Sequence, residues 1–432
     1  MKKEINLGLL GSGTVGGGVI LVLKKNAEEI SKRVGVPVKI KQVFARHPEK
    51  VKELDPTLPT TASFDDIITD PDIDIVVELL GREHPAKEYI MDALKSQKNV
   101  VTANKDVVAK YASELFPLAE KNNVDFMFEG AVAGGIPIIR PLKCCLAANR
   151  INSIMGIVNG TTNYMLTKMS KNHVDFAEVL KEAQAKGYAE SDPTADVGGL
   201  DAARKLVILA SIAFNTRVTL EDISVEGIQN INIRDIEYAQ ELGYVIKLLA
   251  IAKNDPKNGI IVRVQPTMLP ENHPLSTVGD VYNAIFVNGD AIGDTMFFGK
   301  GAGRMPTASA VCGDIIDVSR NILNNCTGRV PSSCFETKHM CAPENIMSPC
   351  YMRLLVQDKP GVLAAITSAF GAQNVSLKNV VQKQSVDDLA ELVVITYAVS
   401  EFNLQMAIAT LRGLPVVEKI SNVIRVEDNN LE

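Results

Sequence analysis

The chain has 432 residues, which at about 150 residues per domain corresponds to roughly three domains. Apolar residues make up 46% of it and charged residues 22%, which excludes wholesale disorder. Lys and Arg total 45 against 51 for Asp and Glu, a formal net charge of -6 with no basic block, which argues against nucleic acid or an anionic membrane as main partner.

The opening MKKEINLGLLGSG has only a short apolar run, broken by glycine, and lacks the longer apolar region and cleavage site of a secretion signal. No apolar run approaches the ~20 residues of a spanning helix, so the cytosol is the expected location. Residues 4–10 read as a buried strand running into a tight turn. From Thr14 to about Arg33 the apolar positions Val15, Val19, Val22 and Leu23 recur at helical spacing. Residues 36–45 read as a second strand. The runs 74–80, 98–102 and 124–129 read as further strands buried on both faces, with helices near 85–97 and 106–122 between them. This alternation predicts a doubly wound parallel sheet of the Rossmann type.

After Gly135 the rhythm changes. Helical stretches near 175–187 and 199–214 precede strand-like segments at 223–230, 260–268, 282–289 and 294–299, which predicts an α+β second domain with a mostly antiparallel sheet. Residues 307–323 read as a helix. Residues 324–350 show little periodicity and read as a linker. It carries Cys326, Cys334, Cys341 and Cys350 of the seven cysteines. No CxxC pair occurs, so zinc has weak support. The plain reading is reduced thiols, the alternative a linker disulfide or redox sensor. From Tyr351 the order is strand, helix through Phe370, strand 375–383, a turn at Asp387-Asp388, strand 389–399, helix 401–412 and strand 416–426. That βαββαβ order matches a ferredoxin-like small domain.

Gly11-Ser12-Gly13-Thr14-Val15-Gly16 is G-x-G-x-x-G between a predicted strand and helix, the context a dinucleotide fingerprint requires. The first glycine permits the turn, the second lets the backbone approach a pyrophosphate, and the third lets helix and strand pack; the helix N-terminus receives the charge. Gly11, Gly13, Thr14, Val15 and Gly16 are therefore candidate cofactor residues. The second strand ends Phe44-Ala45-Arg46-His47, with no acid for the ribose hydroxyls. Arg46 fits the 2′-phosphate of NADP better than NAD, and reads alternatively as a solvated strand-end charge.

The segment 187–205, GYAESDPTADVGGLDAARK, gathers Glu190, Asp192, Asp196 and Asp201 ahead of Arg204 and Lys205. Asp201 and Lys205, four apart, share one helix face. Alone such a pair is a surface ion pair; the acid cluster before it suits a substrate ammonium, and the lysine suits proton transfer at an alcohol oxygen. Asn104 and Lys105 follow a predicted strand's C-terminal end, where sites in open α/β sheets sit, although a lysine there is also commonly solvated. In Asn159-Gly-Thr-Thr-Asn163, between a strand and a helix, backbone N–H groups are placed to hold a carboxylate.

With GSGTVG (11–16), VVTANK (100–105), GGIPIIRPL (134–142), GIVNGTTNYML (156–166), the 187–205 segment, FFGKGAGRMPTASAV (297–311) and DKPGVL (358–363), the chain resembles homoserine dehydrogenases carrying a C-terminal ACT domain over nearly its whole length. The resemblance implies reversible NAD(P)-dependent interconversion of L-aspartate 4-semialdehyde and L-homoserine, toward threonine, methionine and isoleucine. It makes Lys105 and Lys205 the catalytic lysines, gives Glu190, Asp196 and Asp201 the amino and hydroxyl ends of the substrate, and gives Gly160 and Thr161 its carboxylate. It adds Asn104, Lys105 and Gly301 to the cofactor residues, the last within a stretch, 299–308, that returns across the nicotinamide. It maps a sodium site to Glu129 and the carbonyls of Val132, Gly134 and Ile136. It implies domains at 1–133 (NAD(P)-binding, completed by about 305–323), 134–304 (substrate and dimerisation), and 351–428 (ACT, regulatory). A homodimer or homotetramer follows, with an amino-acid effector, threonine foremost, near Asp358, Gly361 and Asn374. Gly81-Arg82-Glu83-His84-Pro85 departs from the family's glycine-rich pattern and places polar bulk near the cofactor. Two other classes compete: a Rossmann dehydrogenase for another amino or keto acid, and a non-enzymatic nucleotide sensor that switches partners through the ACT domain. The sensor gives no reason for the acids at 190–201.

Overall fold

Parallel strands need crossover connections, and the first 130 residues supply them. In the computed structural model, which describes residues 2–330, 334, 336–386 and 388–427, they form a six-stranded parallel sheet. Its strands are β1 (Ile5–Leu10), β2 (Val38–Phe44), β3 (Thr60–Thr61), β4 (Ile75–Glu78), β5 (Asn99–Thr102) and β6 (Phe126–Met127), in the order β3-β2-β1-β4-β5-β6. The reversal of order between β1 and β4 is the switch point where such sheets bind ligands, beyond the strands' carboxyl ends. Leu10 is in register with Phe44 on one side and Glu78 on the other, and Glu78 with Thr102, so these strand ends finish level.

The chain divides into two compact units. The first comprises Met1–Ile154, Arg204–Asp222 and Tyr282–Thr337; the second Met155–Ala203, Ile223–Val281 and Lys338–Glu432. In the first unit, the helix Thr14–Lys25 covers β1 and packs on the helix Arg304–Leu323, and Val19, Ile20, Leu23, Val311, Ile315 and Val318 share one core. Gly18 is what allows this approach: a Cβ there would stand 2.5 Å from the Arg304 carbonyl oxygen.

The second unit is built on a mixed sheet. The strands Tyr244–Asp255 and Gly259–Pro270 form an antiparallel hairpin. Gly259–Pro270 is then joined in parallel by Val417–Val426, with Thr267 opposite Arg425 and Met268 opposite Val426. Antiparallel neighbours Cys350–Gln357, Leu389–Thr396 and Leu377–Val386 complete it. The last four strands, with the helices Val362–Ala372 and Glu401–Arg412, make the expected βαββαβ module around its own core of Met352, Leu354, Phe370, Val394 and Leu404. Residues 331–333 and 335 of the expected linker, Asp387 of the expected turn and residue 428 of the expected final domain lie outside the described residues.

The expected strand at 223–230 is reduced to Ser224–Val225. The helix Ile233–Glu241 and the strand Tyr244–Asp255 were not anticipated. The helix starts at a capping box, Asn232 and Asp235 bonding each other's backbone. A buried ionic network ties it to the βαββαβ module. Arg353 Nε donates to Asp235 at 2.8 Å and its Nη1 to Glu391 at 2.9 Å; Asn422 donates to Asp235 at 2.7 Å, and Tyr238 to Glu391. Glu427 similarly accepts from Lys253 at 2.5 Å and Arg263 at 2.6 Å. All seven cysteines are free thiols. Among the described residues no helix is long and apolar enough to cross a membrane.

Candidate active site

At the switch point Gly11 takes φ +98°, a conformation that L side chains rarely adopt. A Cβ on Gly16 would lie 2.1 Å from the Gly11 carbonyl oxygen, so close turn-to-helix packing requires that glycine. At Gly13 a Cβ would meet nothing within 4 Å, so the second glycine faces open space. Gly13 caps Thr14–Lys25 without a side-chain hydrogen bond, leaving the first-turn N–H groups at Thr14 and Val15 for an anion. These residues fit a dinucleotide pyrophosphate. Arg46, two residues past the end of β2, is exposed, with no ion pair among the described residues.

The other side of the crevice is held by Glu78, a residue the sequence reading passed over. It is wholly buried at the end of β4. Thr102 Oγ1 donates to its Oε2 at 2.7 Å and the Leu80 N–H to its Oε1 at 2.7 Å. Burial pushes this carboxyl up, and hydrogen bonds from Thr102, Leu80, Asn104 and Gly81 pull against it. Asn104 is likewise occupied: Oδ1 caps Val107 N–H, and Nδ2 donates to the Arg82 carbonyl at 2.8 Å. Asn104 therefore braces the crevice and sets the start of the helix Lys105–Lys121. In the departing 81–85 segment, Glu83 turns toward that helix. It accepts from Lys110 at 2.6 Å and from Tyr111, which hold its carboxyl down at about 2.

Lys105 is the first residue of its helix and is half-buried. Lys205, half-buried too, lies in the helix Leu200–Ala213. Asp106 and Arg204, the neighbours of the two lysines, form an ion pair at 3.3 Å, without the alignment of a hydrogen bond. The two lysine-bearing segments are thus brought together within the first unit.

The sodium candidates also lie in this unit. Both oxygens of the Glu129 carboxylate are taken by N–H groups, of Ile138 (2.6 Å), Ile139 (2.8 Å) and Arg140 (2.7 Å). Its own N–H donates to Asp314, whose carboxyl complete burial pushes up to about 7. Among the described residues no backbone N–H donates to the carbonyls of Val132, Gly134 or Ile136, all three residues being buried. Unpaired buried carbonyls suit a hard cation, so the loop fits sodium through its backbone, with the Glu129 side chain bracing it. No cluster of three His, Cys, Asp or Glu able to hold a metal occurs among the described residues. Gly301 is buried against Asn283, and its carbonyl oxygen would lie 2.7 Å from a Cβ on Gly134.

In the second unit, Asn159 is the organising residue. It caps the helix Gly160–Asn172 through the Thr162 N–H at 2.9 Å. Its Nδ2 donates to Asp196 at 2.6 Å and to Asp201 at 2.9 Å. Gly160 and Thr161 are the first residues of that helix, and Thr161 is fixed by a 2.5 Å bond to the Tyr188 carbonyl. A helix N-terminus that attracts a carboxylate and two carboxylates that attract an ammonium are clamped by one amide. Glu190 is exposed. Asp192 instead lies just before the short helix Thr194–Val197 and accepts from the Thr194 hydroxyl at 2.6 Å. In the βαββαβ module, Asp358 and Gly361 line a cavity of about 230 Å³. Asn374 lies beyond the other end of the 11-residue helix Val362–Ala372, about 16 Å of helix away, and is not brought to them.

Family models described as "Homoserine dehydrogenase, NAD binding domain", "Homoserine dehydrogenase" and "ACT domain" match residues 11–129, 137–316 and 351–416. The homoserine dehydrogenase of Bacillus subtilis is 45% identical, covering 99% of both chains. A homoserine dehydrogenase structure from Thiobacillus denitrificans superposes with a TM-score of 0.94 at 43% identity, covering 99% of both chains. A hyperthermophilic archaeal homoserine dehydrogenase in complex with NADPH superposes with a TM-score of 0.62 at 27% identity, over 73% of this chain and 98% of its own. The chain therefore belongs to the homoserine dehydrogenase family, oxidoreductases acting on a CH–OH group, and carries an NAD(P)-binding domain and a C-terminal ACT domain.

Proposed function

We propose that this chain interconverts L-aspartate 4-semialdehyde and L-homoserine with NADP, in the route to threonine, methionine and isoleucine, and that L-threonine acting at the ACT module feeds back on it. The observation that carries the substrate is the Asn159 clamp. It sets acceptors for an ammonium beside donors for a carboxylate, the head-group pattern of an α-amino acid. Asp196 and Asp201, with Glu190, take the amino and hydroxyl ends; Gly160 and Thr161 take the carboxylate. When bound, the nicotinamide supplies hydride transfer. Lys105 and Lys205 hold the side-chain oxygen and exchange its proton, directly or through a water they hold.

Gly11, Gly13, Thr14, Val15 and Gly16 hold the pyrophosphate, and Arg46 favours the 2′-phosphate, a reading supported by the NADPH-bound relative. Asn104, Lys105 and Gly301 line the nicotinamide end. Sodium is held by Val132, Gly134 and Ile136 with Glu129, and its chemistry is to fix that loop. Threonine enters beside Asp358 and Gly361. The enzyme works as a homodimer or homotetramer in the cytosol.

Cofactor absorbance tests this with aspartate semialdehyde, using NADPH or NADH, with and without threonine. The expected result is fast oxidation, NADPH preferred, and inhibition at millimolar threonine. Absence of turnover beside activity on another aldehyde or keto acid would overturn the substrate; flat activity across threonine would overturn the effector.

A further inference from the structure

Lys247 sits within the strand Tyr244–Asp255 and is 4% exposed. Its Nζ donates to the Val278 carbonyl at 2.6 Å and to Asn163 Oδ1 at 3.3 Å, both neutral acceptors. Among the described residues no carboxylate lies within ion-pair distance of it. Burial and Lys171 push its amine down, to about 8, with Asp280 working the other way. At neutral pH the group is therefore a largely charged ammonium, buried without a counter-ion, an arrangement proteins seldom tolerate unless something offsets it.

Its position sharpens the point. Asn163 lies in the first turn of Gly160–Asn172, and its N–H donates to the Asn159 carbonyl at 3.3 Å. A helix N-terminus already carries partial positive charge and disfavours cations. Lys247 adds a full positive charge beneath the same turn. Both penalties fall away when an anion arrives at Gly160 and Thr161.

We propose that Lys247 is a specificity-determining residue that never touches the substrate: its ammonium charges the first turn of Gly160–Asn172, so that the free α-carboxylate of an amino acid is selected over an uncharged carboxamide. This rests on the reading of Gly160 and Thr161 as the carboxylate site. Lys247 is a positioning residue here, acting through Asn163 and the helix.

The test compares oxidation of homoserine and of its carboxamide by the full-length enzyme with NADP, in wild type, Lys247→Gln, Lys247→Met and Lys247→Arg. The glutamine keeps an N–H for Asn163 or Val278 without the charge. Removing an unpaired buried charge does not require the fold to fail, and melting curves confirm folding. The expected result is that Gln and Met lose about tenfold of the acid-over-amide preference in kcat/KM. The loss appears in KM for homoserine, while kcat/KM for the amide stays within about twofold. Arginine, which keeps the charge, retains most of the preference. A preference unchanged in the Gln variant, an equal fall for acid and amide, or loss of the preference in the Arg variant overturns the role of Lys247. A wild-type enzyme with no preference for the acid overturns the carboxylate reading, and this proposal with it.

Discussion

Thr102 Oγ1 donates a hydrogen bond to Glu78 Oε2 at 2.7 Å while accepting the Asn104 N–H at 3.0 Å, so one hydroxyl joins the end of β4 to the turn that opens the helix Lys105–Lys121. Glu78 accepts here, and its other oxygen takes the Leu80 N–H. Glu78→Gln replaces one acceptor oxygen by an N–H donor, which takes away the acceptor of the Thr102 hydroxyl and forces it to turn. We expect about a 10- to 100-fold fall in kcat/KM, with a higher KM for the cofactor and about 1–3 kcal/mol lost from stability. Steady-state kinetics and thermal melting check this; wild-type kinetics in the variant would show that Glu78 does not brace the crevice.

Lys105→Ala and Lys205→Ala should each lower kcat by at least about 100-fold, roughly 2.7 kcal/mol of barrier. Binding of cofactor, followed by fluorescence titration, should change little for Lys205→Ala. A variant that keeps turnover within about tenfold of wild type takes that lysine out of the proton transfer.

If Arg46 meets the 2′-phosphate as proposed, Arg46→Ala should raise KM for NADPH about tenfold and leave NADH almost untouched, since its exposed guanidinium would then contact only what NADP adds. Equal effects on both cofactors would make Arg46 a solvated strand-end charge.

Arg353→Met leaves Asp235 and Glu391 without their cation, Asp235 being wholly buried. Breaking one side of a buried pair costs about 3–5 kcal/mol, and the urea midpoint should fall accordingly. A shift worth less than about 1 kcal/mol would show the network to be dispensable.

The Lys247 amine is pushed down to about 8 in the fold and returns to its ordinary value when unfolded. Between those values the unfolded chain binds more protons, so stability rises with pH; below about 8 the burial penalty is fully present. Relative to Lys247→Met, the substrate-free wild type should gain up to about 3 kcal/mol as pH rises from 8 toward 10.5. A difference that stays constant over that window would count against a charged buried amine.

Much of this architecture could be read from local pattern. The glycine fingerprint, the alternation through residue 129 and the βαββαβ order from residue 351 each express short-range geometry, and each appears in the structure. Tyr244–Asp255 was missed because YVIKLLAIAKND is buried along most of its length and so lacks the in-out alternation of a half-exposed strand, and its Leu, Ala and Lys also favour helix. Glu78 was hidden within an apolar run. The link from Asn159 to Asp196 and Asp201 depends on segments about forty residues apart meeting, which spacing does not encode. The parallel pairing of Thr267 with Arg425 is still more remote in sequence, and a linker expected to separate domains concealed it.

That pairing bears on engineering. Truncating the chain before residue 350 to remove the ACT domain would strip Gly259–Pro270 of a neighbour and remove Glu427, which accepts hydrogen bonds from both Lys253 and Arg263. The cut protein would present a raw sheet edge and two orphaned cations, a recipe for insolubility. Point changes around Asp358, where the effector is proposed to enter, leave the seam closed and are the safer way to test that proposal.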